Sequence, residues 1–397
     1  MSERSGPLTD IRVIELGHMI AGPFCGQLLG DMGADVIKVE PPGKGDPMRV
    51  WGRGAYPLWW TVCARNKRCV TANLRVEEGQ EIIRKLVAQA DILLENFRPG
   101  TMEKWGLGYD VLSKINPGLI MVRVSGYGQT GPYASRAGYA AIGEAMGGMR
   151  YLAGWPDKPP SRAGISIGDS LAATYACTGA LAALHHREKT GQGQVVDSAI
   201  YEAVLNVMES TIPEYVVSDY TRERTGSALP NVAPSNLYEC ADGSFLIAAN
   251  QDTVFRRLCE AMEQPEVADH PDYSTHTARG KHQQELDDLI GQWTKTKTVS
   301  EIDELMQQHS VPAGRIYRAS DMLDDPHFID REAIVDVPHE RWDNLKMQNI
   351  FPKLSKTPGE IRWAGPEKLG HHNSEVYGEL LNMSDKEINA LADKGVL

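Results

Sequence analysis

Short apolar runs alternate with amphipathic stretches through the first third of the chain, and the alternation predicts a parallel α/β layout. Positions 11–16 read as a buried strand, 22–32 as a helix and 35–40 as a second strand, which together form a βαβ unit. The pattern continues with strand 69–74, helix 77–90, strand 91–94 and strand 119–125, so a doubly wound parallel sheet is expected. Gly22, Gly26 and Gly30 recur every fourth residue and share one helix face. That face is predicted to press closely on a strand or a second helix.

After a Pro-rich stretch at 155–160, Ile165-Ser166-Ile167 reads as a short strand, followed by Gly168, Asp169 and a helix of small residues over 170–189. Its end carries His185, His186, Arg187 and Lys189 before Gly191, an arrangement that suits a helix C-terminus and reads as capping charge rather than metal ligation. From about Ser210 the pattern changes. Strands at 236–240 and 245–249 flank Ala241-Asp242-Gly243-Ser244, a hairpin signal, and helical segments follow at 252–262, 282–294 and 299–308. The expected organisation is a large doubly wound domain over 1–215, a smaller α+β domain over 216–330, and a return of 331–397 to the large domain.

Composition narrows the function. The 397 residues are 42% hydrophobic, enough for a substantial core. A formal net charge of −12 argues against nucleic acid or an anionic membrane as partner, so an anionic ligand must meet a local basic pocket. The six cysteines form no CxxC pair and no metal-ligand cluster, which fits reduced thiols. The polar segment Met1 to Asp10 lacks an apolar signal, and no run approaches the roughly 18 apolar residues of a membrane span; a cytoplasmic protein is expected.

Glu40 ends the second predicted strand, where a ribose-binding acid would sit, but Gly17 and Gly22 lack the close G-x-G spacing a pyrophosphate turn requires. The P-loop, H-E-x-x-H and G-x-S-x-G patterns are also missing from the sequence. Asp169 stands out. An aspartate opening a helix is a good N-cap. The same place also suits a nucleophile, because a helix N-terminus stabilises anions and Gly168 leaves room for a substrate carbonyl. Basic residues surround the early strands: Arg65, Lys67 and Arg68 before one, Arg75 after it, Arg98 and Lys104 after the next. Each alone is an ordinary surface charge; together they form a candidate set for neutralising phosphates.

Several segments, read in order, carry a resemblance. They are Val13-Ile14-Glu15-Leu16 with Ala21-Gly22-Pro23, Leu29-Gly30-Asp31-Met32-Gly33-Ala34-Asp35-Val36-Ile37-Lys38-Val39-Glu40, and Asn66-Lys67-Arg68. Glu95-Asn96-Phe97-Arg98-Pro99-Gly100, Ser125-Gly126-Tyr127-Gly128-Gln129-Thr130-Gly131-Pro132, Gly168-Asp169 and Lys189-Thr190-Gly191-Gln192-Gly193-Gln194 follow. The series resembles the class III CoA-transferases, the CaiB/BaiF family, which includes formyl-CoA transferase, the carnitine CoA-transferase and α-methylacyl-CoA racemase. The resemblance implies a large α/β domain built from both ends of the chain, a small middle domain and an interlocked homodimer. It implies acyl-CoA and a small carboxylate as substrates, with no permanently bound cofactor and no metal. By position it makes Asp169 the catalytic aspartate. His18, Ala21, Ala72, Asn73, Leu74, Arg75, Asn96, Phe97, Arg98, Lys104, Arg136 and Tyr139 match its CoA-contacting segments.

The chain departs from the pattern in three places. Pro41 stands where formyl-CoA transferase carries a CoA-binding arginine, and that enzyme's glycine-rich loop has no counterpart after 245–249, which disfavours oxalate and formyl-CoA as substrates. At Gly138-Tyr139-Ala140 the racemases resemble Gly-His-Asp, and a tyrosine, titrating near about 10, is a poor substitute for that acid/base histidine. The expectation is therefore CoA transfer to a small carboxylic acid through aspartyl anhydride and aspartyl-CoA thioester intermediates, with succinyl-CoA the preferred donor, small dicarboxylates the preferred acceptors, and a hydrophobic or carnitine-like acceptor the alternative. Arg136, Arg150 and Arg162 are candidates for pairing the acceptor's second carboxylate. The rival readings are a 2-methylacyl-CoA racemase and a non-catalytic CoA-ester-binding protein.

Overall fold

The computed structural model describes residues 5–53 and 56–397, so the first four residues of the polar N-terminal segment lie outside it. The chain divides into two compact units, one of 1–150, 163–213 and 330–397, the other of 151–162 and 214–329.

In the first unit six parallel strands are ordered β3-β2-β1-β4-β5-β6: β1 (Arg12–Glu15), β2 (Asp35–Glu40), β3 (Lys67–Thr71), β4 (Ile92–Glu95), β5 (Ile120–Ser125) and β6 (Val195–Ala199). The order reverses between β1 and β4, the switch point at which such sheets open a crevice. Strands β2 to β5 are buried along their whole length, which is why Val, Ile, Leu and Met fill most of β4 and β5. One sheet face packs on the helices Glu77–Val87, Tyr109–Ile115, Asn373–Leu381 and Asp385–Asp393 through Ile14, Ile37, Val70, Leu93 and Met121. The other packs on Ala21–Asp31 and Ile167–Thr190 through Val13, Val36, Leu94, Ile120 and Val122. The long Ile167–Thr190 helix buries Ala172, Ala173, Ala176, Ala180 and Ala183, small side chains that let its axis approach the sheet; a Cβ at Gly179 would lie 2.7 Å from Val196 Cγ1. It ends at Gly191 with φ +73°, as the cation-rich terminus predicted.

The glycine face of Ala21–Asp31 behaves as its spacing predicts. Gly22 abuts Asn96, Gly30 abuts Val36, and a Cβ at Gly26 would sit 1.8 Å from Glu15 Oε2. That carboxylate cannot retreat, because Lys67 and Lys38 hold it in a site closed to solvent. Gly26→Ala is therefore expected to cost about 2–3 kcal/mol of stability, read from denaturant unfolding; a change within experimental error would contradict this packing.

The chain differs from the sequence expectation in four places. β3 starts two residues earlier, at Lys67, and β6 was not foreseen. Ile165-Ser166 is bend and coil rather than strand, and Ile167 already belongs to the helix. The expected polar C-terminal stretch contains an antiparallel hairpin, β10 (Ile334–His339) with β11 (Asp343–Gln348).

The second unit holds the predicted hairpin, β7 (Ser235–Glu239) with β8 (Ser244–Ala248), extended by β9 (Ala313–Arg315). Helices Asp252–Ala261, Gln283–Thr294 and Val299–Gln308 cover it around a core including Phe245, Ile247, Phe255, Leu258 and Ile302. Among the described residues, no helix is long and apolar enough to cross a membrane.

Candidate active site

The carboxyl ends of β1 to β4 open into a cavity of about 630 Å³. Its lining joins four loops: His18 after β1, Pro41, Pro42 and Lys44 after β2, Ala72 to Arg75 after β3, and Phe97, Arg98, Thr101 and Trp105 after β4. His18, Phe97 and Trp105 form an aromatic wall, each ring meeting the next edge-on at 5.2 and 5.1 Å between centroids. Lys44, Arg75 and Arg98 are exposed around the cavity, and among the described residues no carboxylate pairs with any of them.

That contrasts with the three cations of the Arg65–Arg68 segment, all of which are engaged. Arg65 is buried against Asp31 at 2.6 Å, Arg68 against Asp35 at 2.6 Å, and Lys67 against Glu15 at 2.8 Å. The expectation that these three line a phosphate pocket is corrected: none of them lines the cavity, and their charge is spent on buried carboxylates inside the protein. Glu40 does line the cavity, but its carboxylate is occupied by Arg49 in two hydrogen bonds of 2.6 and 2.8 Å and by the Asp46 N–H at 2.9 Å. Lys44, Thr101 and Trp105 were missed in the sequence. Gly43-Lys44-Gly45 directly after a strand end was a readable signal, since glycines expose the lysine between them.

His18 sits on a tight turn whose backbone Asn96 holds at both ends: the His18 N–H donates to Oδ1 at 2.7 Å, and Nδ2 donates to the His18 carbonyl at 2.9 Å. Gly17 and Gly22 make room for that amide, with would-be Cβ atoms 3.0 and 3.2 Å from it. The two glycines too far apart for a dinucleotide turn thus flank Asn96. Asn96 itself is not among the residues lining the cavity; it shapes the loop that is. Burial pushes the His18 imidazole down to about 4, helped by Lys38 and opposed by Asp46, so the ring is neutral near pH 7. Ala21, buried in the first turn of its helix, and Lys104, exposed on Thr101–Lys104, also lie outside the lining.

Asp169 lies at the same sheet edge, beyond β5 and β6. It is the third residue of its helix, and Ser166 occupies the N-cap, so the N-cap reading is corrected. Gly168 is buried where a Cβ would be 3.2 Å from the Ala140 carbonyl oxygen and 3.2 Å from Ile200, the residue after β6. The Gly126 loop after β5 closes on Gly138, with a would-be Cβ 3.0 Å from its Cα. These close approaches bring Gly138-Tyr139-Ala140 against the start of the Asp169 helix. Tyr139 caps the helix Ala140–Met146 with its side chain 70% exposed, and Arg136 stacks on Tyr133 at 3.6 Å. Neither residue lines the cavity. Arg150 is engaged by Glu144 at 2.8 Å, and Glu144 also accepts from the Gly168 N–H at 3.4 Å, so Arg150 is a support for the helix start rather than an open anion receptor.

Residues 8–373 match the family described as CoA-transferase family III. The chain is 58% identical over 395 residues to a succinyl-CoA--D-citramalate CoA-transferase of Chloroflexus aurantiacus, covering 98% of each. It is 36% identical to a succinate--glutarate CoA-transferase of Agrobacterium fabrum, covering 96% of this chain and 97% of that one. A crystal structure of a CaiB/BaiF family protein from Brucella suis superposes with a TM-score of 0.84 at 35% identity, over 95% of this chain and all of the other. With these likenesses running nearly end to end, the chain belongs to CoA-transferase family III and is an enzyme that transfers coenzyme A.

Proposed function

We propose that the enzyme moves CoA from succinyl-CoA to a short dicarboxylate, with Asp169 as the nucleophile and the β1–β4 cavity holding the nucleotide end of CoA. The observation that carries the CoA assignment is the set of cations without a carboxylate partner among the described residues, Lys44, Arg75 and Arg98, around an aromatic-walled cavity on a chain of net charge −12. On such a chain, cations left without carboxylate partners at a strand-end cavity are suited to phosphates.

An Asp169 carboxylate oxygen attacks the thioester carbonyl; the C–S bond breaks and CoA leaves as thiolate, giving a succinyl-aspartyl anhydride. The thiolate attacks the aspartyl carbonyl and releases succinate, leaving an aspartyl-CoA thioester. The acceptor carboxylate then displaces the thiolate to form a second anhydride, and thiolate attack on the acceptor's carbonyl yields the new acyl-CoA and regenerates Asp169. Each step passes through an oxyanion, which the positive end of a 24-residue helix favours beside Asp169.

The relatives' names support the donor and the acceptor class: besides citramalate and glutarate, they include L-malate at 44% identity and mesaconate at 38%. Citramalate is the acceptor this reading places first. On the family resemblance we also take the working form to be an interlocked homodimer in the cytoplasm.

The test is a panel of D- and L-citramalate, L-malate, glutarate and mesaconate with succinyl-CoA, products separated chromatographically. New acyl-CoA with stoichiometric succinate is the expected result. No transfer to any member, together with deuterium uptake at the α-carbon of a 2-methylacyl-CoA, would replace the transferase with the racemase.

A further inference from the structure

Beneath the His18 turn lies a quartet of charges that the proposed chemistry does not use. Glu15 on β1 and Lys38, its register partner on β2, are both fully buried, as are Lys67 and, nearly so, Asp46. Lys38 Nζ stands 3.3 Å from Glu15 Oε1 and 2.8 Å from Asp46 Oδ2, and it donates to the Gly17 carbonyl. Lys67 Nζ stands 2.8 Å from Glu15 Oε2 and donates to the Pro23 carbonyl at 2.6 Å.

Two ammonium groups and two carboxylates cancel in charge. For stability alone, apolar side chains of the same volume would serve as well. What they could not do is grip the backbone. The quartet holds Gly17 O and Pro23 O, and Asp46 accepts the Met19 N–H at 3.1 and 3.2 Å and the Met48 N–H at 2.9 Å. Met19 has φ +65°, a left-handed conformation that a residue with a Cβ adopts only when its surroundings impose it. The turn that presents His18 to the cavity is thus gripped by Lys38 and Asp46 on one side and by Asn96 on the other.

We propose that Lys38 and Asp46 are positioning residues: they set the His18–Met19 turn, and through it the affinity for acyl-CoA, without lining the cavity themselves. This rests on reading the cavity as the CoA site. Lys38→Met removes the ammonium group, while Asp46→Asn keeps an amide oxygen for Met19 and Met48 but removes the charge facing Lys38.

The test is calorimetric binding of desulfo-CoA, with steady-state kinetics and melting of the full-length protein, for the wild type, both variants and an Arg75→Ala/Arg98→Ala control. Lys38→Met is expected to raise both Kd for desulfo-CoA and KM for succinyl-CoA about tenfold, and Asp46→Asn by less, with kcat at saturation within about twofold and the acceptor KM unchanged. A merely structural role would instead lower the active fraction, and so kcat, and leave KM in place. Folded Lys38→Met and Asp46→Asn proteins with wild-type Kd, beside a weakened arginine control, overturn the positioning role alone. Wild-type Kd in the arginine control overturns the reading of the cavity. If Lys38→Met does not fold, Asp46→Asn decides by the same criterion.

Discussion

Asp169→Ala is expected to lower CoA transfer by at least about four orders of magnitude while leaving the protein folded. The chemistry requires an oxygen nucleophile that ends as an anhydride and then a thioester, and a methyl group supplies none. The fold does not depend on that carboxylate in the same way. Ser166 holds the N-cap position, and the helix is anchored further along by Ala172, Ala173, Ala176 and Ala180 against the sheet and by the Ser198 hydroxyl donating to the Ala172 carbonyl at 3.0 Å. Loss of a first-turn acid costs a helix about 1 kcal/mol or less. Transfer assays beside a thermal melt separate the two effects, and a variant that kept wild-type turnover would remove Asp169 from the reaction.

Removing both Arg75 and Arg98 has the next largest expected effect. Both are exposed at the cavity and lack a carboxylate partner among the described residues, so truncation leaves no orphaned charge behind. Each charge-assisted contact to a phosphate is worth about 1.5–3 kcal/mol, so the double substitution to Ala is expected to raise KM for succinyl-CoA by at least about 100-fold. kcat should change little, because the phosphates lie far along the substrate from the thioester. The wild-type KM should also rise with added salt and the variant's much less, since screening acts on the contacts the variant has lost. An unchanged KM and unchanged salt dependence would move the phosphates elsewhere.

How much of this was legible in the sequence depends on whether the cause was local. β2 was read to its exact ends, Asp35–Glu40, because Val36, Ile37 and Val39 fall in a short β-branched segment between a glycine turn and a proline. The glycine face at 22, 26 and 30 announced close packing, although the partner atoms, from Glu15, Asn96 and Val36, could come only from the folded sheet. β6 escaped notice because it is an edge strand whose first three residues are not buried and whose sequence, Val-Val-Asp-Ser-Ala, has no apolar run. The alternation Ile165-Ser166-Ile167 resembles a strand, yet Gly164 at φ +83° turns the chain there and the helix begins two residues before Asp169.

The charges were hardest to read. Arg65 and Arg68 find Asp31 and Asp35 more than thirty residues back along the chain, a pairing created by the βαβ crossover and invisible to spacing. Which cations stay unpaired, and so are open to a ligand, is a property of the assembled sheet. The family resemblance carried His18, Arg75 and Arg98 to the cavity, while Lys44 and Trp105 emerged only from the structure.

The most direct measurement is to mix the enzyme with succinyl-CoA, trap with hydroxylamine or borohydride, digest, and locate the modified residue by mass spectrometry. The expected result is a hydroxamate or a reduced side chain at Asp169, dependent on succinyl-CoA and missing from Asp169→Ala. Rapid formation of a new acyl-CoA with Asp169 unmodified, or with the label on another residue, would contradict a covalent mechanism at this site.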